Sequence, residues 1–491
     1  MPELIIRRDG EETRVAFEGT PLLNEVLARE GLALAQPCGG RGRCGKCRTE
    51  LSGAVSPPNE AEVRFGSRLA CQAVLLGDCK ATLPVSRQME QIQMDGDLAG
   101  GVLRPMPGKY GAAVDLGTTT LALKLYRLSD GRLMGSAGKP NPQGQTAADV
   151  MGRIGAALAG GLPRLERQVQ QAILGLLETA CREAGVPVSD VESMVVAGNT
   201  TMLYLLTGTS PLSLSRAPFD AEDLFGRTVP LMGRQVYLPP CMDAFVGADI
   251  TCAVLASGIC QKEQTALLID VGTNGEIALW KDGALLVSST AAGPAFEGAG
   301  IHMGCGSVAG AVDSVWVTAD GRLEAHTISG APAVGVCGSG LIDAVACLLK
   351  TGQVDETGAS ARPKMTLSGS VHLVPQDIRS IQLAKAAIAA GIETLLREAG
   401  IGADEVTELC LAGGFGSHLD VNSAADIGLI PRELTGRVRV LGNASLAGAA
   451  ALLTDTAQVS EVNRIASLSR HVALGGNPRF NEAYMEHMLF P

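Results

Sequence analysis

The sequence predicts a multidomain α+β protein, in which a small cysteine-rich domain precedes a larger domain of two lobes. The chain has 491 residues, which is too many for a single hydrophobic core, and 46% of them are hydrophobic. A glycine-rich loop with several cysteines lies near the N-terminus, and two similar segments rich in Asp, Gly and Thr divide the remainder. We therefore expect one domain over residues 1–85, a linker over 86–108, and two lobes over 109–260 and 261–491.

The composition excludes two classes of partner. The formal net charge is −11 and only 3% of the residues are aromatic, so the chain lacks the basic surface of nucleic-acid-binding and membrane-bound proteins. No apolar run reaches the length of a membrane span, and the N-terminus has no export signal. The 13 cysteines, an odd number, favour thiols or metal ligands over a disulfide framework. We expect a cytoplasmic protein with no nucleic acid and no membrane as a partner.

The first thirty residues predict a β-hairpin and a helix. Residues 4–8 and 13–17 are β-prone and flank an Asp-Gly pair, which is typical of a hairpin turn. Thr20 is the predicted N-cap of the helix and Pro21 its first residue, since both residue types are favoured there. Leucines and a valine follow at helical spacing, and Gly31 is expected to end the helix.

The cysteine-rich loop predicts an iron–sulfur cluster. Cys38, Cys44, Cys47 and Cys71 follow the spacing C-x5-C-x2-C-x23-C, which is close to the pattern of plant-type [2Fe–2S] proteins. Four thiolates hold two irons, and the glycines let backbone N–H groups approach the sulfurs. Structural zinc is the alternative, although it prefers two paired short loops; free buried thiols do not suit so polar a loop. The sequence thus predicts a β-grasp ferredoxin that transfers electrons at a reduction potential of about −400 mV. Cys79 is expected to be a core thiol that is not a cluster ligand.

Two segments of the remaining chain resemble each other. In each, an apolar strand ends in an aspartate, a turn rich in Gly and Thr follows, and a second apolar strand comes next. The aspartates are Asp115 and Asp270, which lie 155 positions apart (270 − 115). Backbone N–H groups and Thr hydroxyls of such turns bind phosphate oxygens, while carboxylates hold Mg²⁺ directly or through water. One such segment is also compatible with a plain hairpin turn, but two in one chain favour a triphosphate site.

The elements around these segments fit a nucleotide cleft. Residues 244–258 predict a helix that leads into the second segment, and residues 378–399 predict a long amphipathic helix. A strand at 408–412 then meets Gly413 and Gly414, where backbone can approach a flat ring or a phosphate without a Cβ in the way.

This order of elements resembles the ATPase fold of actin, sugar kinases and heat-shock chaperones (ASKHA). With the N-terminal ferredoxin, the chain resembles the reductive activators of corrinoid proteins over nearly its full length. Segments 293–299, 337–343 and 412–417 are similar to blocks of that family. One departure is that its better-known members have an extra domain between cluster and ATPase, whereas only a short tether is available here.

The resemblance implies an ATP-dependent reductase. It would pass one electron from a [2Fe–2S] cluster to the cob(II)alamin of a corrinoid protein and regenerate cob(I)alamin for a methyltransferase system. The implied cofactors are the cluster, ATP and Mg²⁺. The implied partners are the corrinoid protein and an electron donor, a ferredoxin or a flavoprotein, and we expect a homodimer. The alternatives are a redox-sensing nucleotide-binding regulator without turnover and a small-molecule kinase fused to a ferredoxin.

The resemblance also assigns roles to residues. Asp115 and Asp270 would organise Mg²⁺, and Asp249 would orient the attacking water. The alternative role of Asp249 is to stabilise a helix N-terminus. Gly413 and Gly414 would face the adenosine. The phosphates would be contacted by Thr118, Thr119, Gly272, Thr273 and Asn274.

Several other polar residues and cysteines are less informative. Glu297 is expected either to line the cleft or to cap a helix, and Asn141 to lie in a polar loop. Cys305, Cys337 and Cys410 are expected to be small buried residues. The alternative for these cysteines is a second cluster that bridges two subunits.

Overall fold

The structure is a computed structural model that describes residues 1–8, 11–30, 32, 34, 40, 42, 47–83, 102–413 and 419–491. Within these residues, no helix has both the length and the apolar character that a membrane span requires. The elements confirm the predicted fold class: a small mixed sheet with two short helices precedes two larger α/β lobes.

The N-terminal unit has one five-stranded sheet in the order β2-β1-β5-β3-β4. The predicted hairpin is confirmed, since β1 and β2 pair antiparallel, and β1 also pairs parallel with β5. The elements are β1 (Glu3–Arg8), β2 (Glu11–Ala16), α1 (Leu23–Arg29), β3 (Arg48–Val55), α2 (Glu60–Phe65), β4 (Arg68–Leu69) and β5 (Leu75–Thr82).

The predicted start of the first helix is wrong. The helix begins at Leu23 with Leu22 as its N-cap, so Thr20 and Pro21 precede it. Leu22 forms a β-bridge with Val74. The carbonyl of Pro21 accepts a hydrogen bond from the backbone N–H of Leu75. Pairing with the neighbouring strand therefore overrides the local capping preference, and the predicted end at Gly31 lies outside the described residues.

The first lobe has a six-stranded sheet in the order β10-β11-β9-β6-β7-β8. Its centre is an antiparallel meander of three strands, to which β9 adds in parallel. The elements are β6 (Tyr110–Leu116), β7 (Thr120–Arg127), β8 (Arg132–Pro140), α3 (Val150–Ala156), α4 (Leu162–Ala184), β9 (Val191–Gly198), α5 (Thr200–Thr207), β10 (Arg227–Leu231), β11 (Arg234–Leu238) and α6 (Ala248–Ser257).

The second lobe repeats this arrangement and adds smaller sheets. Its main sheet has the order β21-β20-β12-β13-β14-β22, in which β20 pairs parallel with β12. The elements are β12 (Ala266–Val271), β13 (Gly275–Lys281), β14 (Ala284–Thr290), β15 (Ala311–Val317), β16 (Leu323–Thr327), β17 (Gly335–Val336), α7 (Gly338–Lys350), β18 (Met365–Ser368), β19 (Val371–Leu373), α8 (Pro375–Ala399), β20 (Glu408–Ala412), α9 (Val421–Asp426), β21 (Val438–Gly442), α10 (Ala444–Thr454), α11 (Gln458–Leu468), β22 (Ser469–His471) and α12 (Pro478–Glu486).

The two predicted helices of the large domain are present with shifted bounds. The connecting helix α6 begins at Ala248 rather than 244, and the long helix α8 begins at Pro375 rather than 378. Proline suits the first helical turn, and the Asp377 carboxylate accepts from the N–H groups of Val374 at 2.9 Å and His302 at 2.6 Å. These hydrogen bonds set the start of α8.

Helices α6 and α10 fill the space between the two main sheets. One hydrophobic cluster joins them to residues of both sheets, including Val195 of β9 and Leu268 of β12. The helices approach so closely that a Cβ on Gly448 would lie 2.1 Å from the carbonyl oxygen of Cys252. The N-termini of these two helices therefore lie where the sheets meet, which positions the site described below.

Part of the segment predicted as a linker is packed against the second lobe. The N–H of Arg104 donates to the carbonyl of Thr454, and that of Met106 donates to Leu453. Arg104 also forms a β-bridge with Asp455. The chain is thus attached to the end of α10 before it enters β6, and residues 84–101 of the predicted boundary lie outside the described residues.

Candidate nucleotide and cluster sites

Three predicted carboxylates come together between the lobes. Asp115 lies near the end of β6, Asp270 near the end of β12, and Asp249 in the first turn of α6. The three carboxylates influence one another, because the charges of Asp115 and Asp270 raise the pKa of Asp249. Each side chain is only partly buried, as expected at the floor of a cleft.

The first of these carboxylates is held by the opposite lobe. Asn443 donates from Nδ2 to Asp115 Oδ2 at 2.9 Å, and Ser445 donates from Oγ to Oδ1 at 2.8 Å. Both donors lie at the N-terminus of α10, where Asn443 is the N-cap and also accepts from the N–H of Leu446. The sequence analysis missed both donors, although an Asn directly after a strand and before an Ala-rich run is a typical helix start.

Burial raises the pKa values of these carboxyls. It is the main cause for Asp249 and Asp270, whose pKa values rise to about 7, and neighbouring carboxylates add to the effect. The pKa of Asp115 is also raised by burial, while Ser445 and Asn443 oppose the rise. No cation among the described residues lowers any of the three pKa values. A divalent cation with oxygen ligands is the chemical complement of such a group.

The turn after Asp115 is fixed by polar side chains, of which Asn141 and Arg153 are buried. Asn141 donates from Nδ2 to the Gly117 carbonyl at 2.9 Å, and Asn199 donates from Nδ2 to Thr118 Oγ1 at 2.9 Å. Arg153, whose side chain is fully buried, donates to the carbonyl of Thr118 at 2.6 Å. Asn141 lies in the connection between β8 and a 3₁₀ turn, as the predicted polar loop requires, and its side chain also supports the turn after Asp115.

The turn after Asp270 has a different set of contacts. The N–H of Gly272 donates to the carbonyl of Asn274 at 2.9 Å, which closes the turn. Thr273 donates from Oγ1 to Glu297 Oε1 at 2.8 Å. Glu297 also accepts from Oγ1 of Thr119 in the other turn. Glu297 therefore lines the cleft, and Thr119 and Thr273 reach the same group from opposite lobes.

The glycine pair after β20 lies only partly within the described residues. Gly413 adopts a φ of +84°, and a Cβ there would lie 2.4 Å from Asp270 Oδ1. Glycine is required because backbone passes directly over the carboxylate. Gly414 lies outside the described residues.

Two of the four predicted cluster ligands lie within the described residues. Cys47 and Cys71 are buried and lie beside the paired ends of β3 and β4, while Cys38 and Cys44 lie outside the described residues. The carbonyl of Cys47 accepts from the N–H of Ala70, which places Cys47 and Cys71 at the same end of the sheet. Two thiols so placed fit a cluster completed by the glycine-rich loop.

The remaining predicted thiols are core residues with one exception. Burial raises the pKa of Cys79 to about 11, as expected of an inert thiol on β5. Cys337 and Cys410 are buried, whereas Cys305 is partly exposed. Where the structure describes the chain, no three His, Cys, Asp or Glu side chains, Asp115, Asp249 and Asp270 included, are grouped in a way that could hold an ion. A cation in the cleft would therefore need further oxygen ligands, such as phosphate groups.

The fold and the site define a class: an ATPase domain of the ASKHA type preceded by an iron–sulfur domain. Profile matches agree with this class. They are "2Fe-2S iron-sulfur cluster binding domain" at residues 6–76, "RACo middle region" at 110–262 and "C-terminal domain of RACo the ASKHA domain" at 264–491. The chain is also 32% identical over 420 residues to corrinoid activation enzyme RamQ of Eubacterium limosum, covering 78% of this chain and 70% of that protein. The chain belongs to the family of reductive activators of corrinoid proteins.

Two further relatives support this membership. One is the "[Co(II) methylated amine-specific corrinoid protein] reductase" of Methanosarcina barkeri, 27% identical over 420 residues, which cover 77% of this chain and 76% of that protein. The other is the solved structure of a "Reductive activator for corrinoid,iron-sulfur protein", with a TM-score of 0.73 and 27% identity over 100% of this chain and 98% of that chain.

Proposed function

We propose that this chain is an ATP-dependent reductive activator that delivers one electron to the cob(II)alamin of a corrinoid protein and thereby regenerates cob(I)alamin. The observation that carries the proposal is the union of two sites in one chain. Cys47 and Cys71 offer thiolates in the N-terminal domain. A carboxylate cleft, for which the described residues supply no neutralising cation, lies between two ATPase lobes. A redox centre joined to an ATPase is what an energy-driven electron transfer requires.

The proposed cluster site uses four thiolates, Cys38, Cys44, Cys47 and Cys71. A [2Fe–2S] cluster bound there would supply one-electron transfer at low potential. The burial of Cys47 and Cys71 excludes water from these sulfurs. A cytoplasmic ferredoxin or flavoprotein is the proposed donor, and the proposed assembly is a homodimer.

The proposed nucleotide site divides its work between the lobes. Asp115 and Asp270 would hold Mg²⁺ against the phosphates of ATP, and Asp249 would orient the attacking water. The turn residues Thr118, Thr119, Gly272, Thr273 and Asn274 would contact phosphate oxygens, and Gly413 with Gly414 would face the adenosine. Because both turns are needed to surround a triphosphate, hydrolysis changes the contact between the lobes.

Nucleotide binding can lower the reduction potential at which the electron is transferred, through coupling between the nucleotide site and the partner site. Coupling between two sites is typically about 1–3 kcal/mol, which corresponds to roughly 40–130 mV for one electron, since a tenfold change is about 59 mV. Conformational coupling can thus close a modest gap in potential. A larger gap would require methylation of the product or withdrawal of a cobalt ligand in the complex.

ATP turnover with candidate partners tests the proposal. Turnover should rise when a cob(II)alamin-containing corrinoid protein is added, and neither sugars nor organic acids should change it. Stimulation by a sugar would favour the small-molecule kinase. Nucleotide binding with no turnover under any of these conditions would favour the regulator.

The cluster provides a control for this test. Cys47→Ser should remove most of the visible absorbance and the reduced-state paramagnetic signal of the iron–sulfur centre. ATP binding should survive, because Cys47 directly precedes β3 of the N-terminal sheet and Asp270 lies in the second lobe. Protein purified without oxygen that contains stoichiometric zinc and no iron would contradict the electron-transfer function.

A further inference from the structure

Glu297 joins the two phosphate turns across the cleft. Its Oε1 accepts from Thr273 Oγ1 at 2.8 Å, and its Oε2 accepts from Thr119 Oγ1 at 3.2 Å. Thr119 follows β6 in the first lobe and Thr273 follows β12 in the second. A single carboxylate therefore contacts one hydroxyl from each lobe.

The backbone that carries Glu297 is anchored in the second lobe. Glu297 is the last residue of a 3₁₀ turn, Pro294–Glu297, whose Ala295 and Phe296 are buried in the hydrophobic core with residues of α7 and α8. Gly298, at a φ of +70°, follows it, and a Cβ there would lie 2.5 Å from the carbonyl oxygen of Cys305. The turn is thus tightly packed while the carboxylate reaches the cleft.

A carboxylate and a terminal phosphate can both accept hydrogen bonds from these hydroxyls. Both are anionic oxygen acceptors, and a threonine hydroxyl has one proton and donates it to one acceptor at a time. Two anions at the same pair of donors also repel each other, and more strongly where water is partly excluded. Occupation of Thr119 and Thr273 by Glu297 and by a phosphate is therefore mutually exclusive.

We propose that Glu297 competes with the γ-phosphate of ATP for the hydroxyls of Thr119 and Thr273, so that this residue distinguishes ATP from ADP. The inference rests on the proposed ATP site and adds a nucleotide-sensing residue to it. When the γ-phosphate takes the hydroxyls, the carboxylate leaves both, and the link between the lobes through this side chain is broken. The turn that carries Glu297 packs against α7 and α8. Release of Glu297 by the third phosphate therefore changes contacts of a segment that belongs to the core of the second lobe.

Calorimetric titration of the full-length protein tests the competition. The ligands are Mg²⁺ with ADP and Mg²⁺ with the non-hydrolysable β,γ-imido analogue of ATP. Glu297→Ala should bind the analogue about tenfold more tightly than the wild type, because one charge-assisted competitor is removed, while its affinity for ADP stays within about twofold. Glu297→Gln keeps the shape and removes the charge, so its affinity for the analogue should lie between the two.

A matched control separates this effect from a general change in charge. Glu324 lies exposed on β16 in the same lobe, and Glu324→Gln should leave both affinities unchanged. Weaker binding of the analogue by Glu297→Gln, or equal tightening for ADP and the analogue, would overturn the inference. Failure of the wild type to bind either nucleotide would instead overturn the proposed function, and the inference with it.

Discussion

The turns that follow Asp115 and Asp270 are alike in backbone and different in their surroundings. Each turn follows a central strand that has a parallel neighbour. Asp115 lies beside the N-terminus of α10, and the charge of Asp270 raises the pKa of Asp249 in the first turn of α6. Ser445, the second residue of α10, donates to Asp115. The corresponding second residue of α6 is Asp249, a like charge for Asp270.

This difference predicts unequal contributions of the two aspartates to the proposed Mg²⁺ site. Asp115 has two hydrogen bonds that tie the first lobe to α10, so its charge is already partly satisfied. Among the described residues none donates a hydrogen bond that lowers the pKa of Asp270, which burial and Asp115 raise to about 7. The two aspartates of the repeated fold therefore differ in their hydrogen bonds, and we expect a cation to matter more for Asp270 than for Asp115.

The largest expected effect comes from the two aspartates themselves. Asp270→Asn keeps the shape and removes the charge, so Mg·ATP turnover should fall by at least about 10²-fold, since electrostatic positioning supplies most of phosphoryl-transfer catalysis. Asp115→Asn should lose only about tenfold, because its partners can still hold an amide. Steady-state ATPase assays compare the two, and equal losses would contradict the asymmetry.

The hydrogen bonds to Asp115 provide the second test. Ser445→Ala removes one of two donors to a partly buried carboxylate and should lower the free energy of unfolding by about 1–3 kcal/mol, measured by urea denaturation. Ser460→Ala on the exposed surface of α11 is the matched control and should change it by less than about 0.5 kcal/mol. A silent Ser445→Ala variant would show that the link between the lobes adds no stability.

The smallest expected effect is the pH dependence of stability without divalent cations. The pKa values of Asp249 and Asp270 are raised to about 7 in the folded protein, so the folded state binds more protons than the unfolded state between pH 4 and 7. Stability is therefore lost as pH rises through about 7. The thermal midpoint should fall by at least about 2 °C between pH 5.5 and 8.

Two changes should weaken that pH dependence. Mg²⁺ at saturating concentration should restore the midpoint at pH 8, because it binds the charged form. Asp249→Asn should flatten the profile, since it removes one of the carboxyls whose pKa is raised. A midpoint that rises over this range, with or without Mg²⁺, would contradict the assigned pKa directions.

The sequence predicts those elements that depend on neighbouring residues or that occur twice in the chain. The hairpin of residues 4–17, the strand and turn at each aspartate and the long helix α8 follow from residue types within a few positions of one another. The recurrence of one pattern 155 positions later predicts that the two turns face one cleft.

The contacts that make the site asymmetric could not be predicted from local patterns. Asn443 and Ser445 lie 328 and 330 positions from Asp115, so only the folded sheets bring them together. The same holds for Asn199 at Thr118, 81 positions away. The misplaced start of α1 has this cause as well, since Leu22 pairs with Val74 rather than following its local capping signal.

The most direct test of the account is anaerobic reduction of a cob(II)alamin corrinoid protein by cluster-loaded wild type and Asp270→Asn, with and without Mg·ATP. Both proteins should contain iron and accept electrons from dithionite, because Asp270 lies outside the N-terminal sheet. The wild type should produce cob(I)alamin only with ATP, seen by its absorption spectrum, and the variant should remain at cob(II)alamin in both conditions. Formation of cob(I)alamin by the variant at the wild-type rate would show that ATP hydrolysis does not drive the transfer.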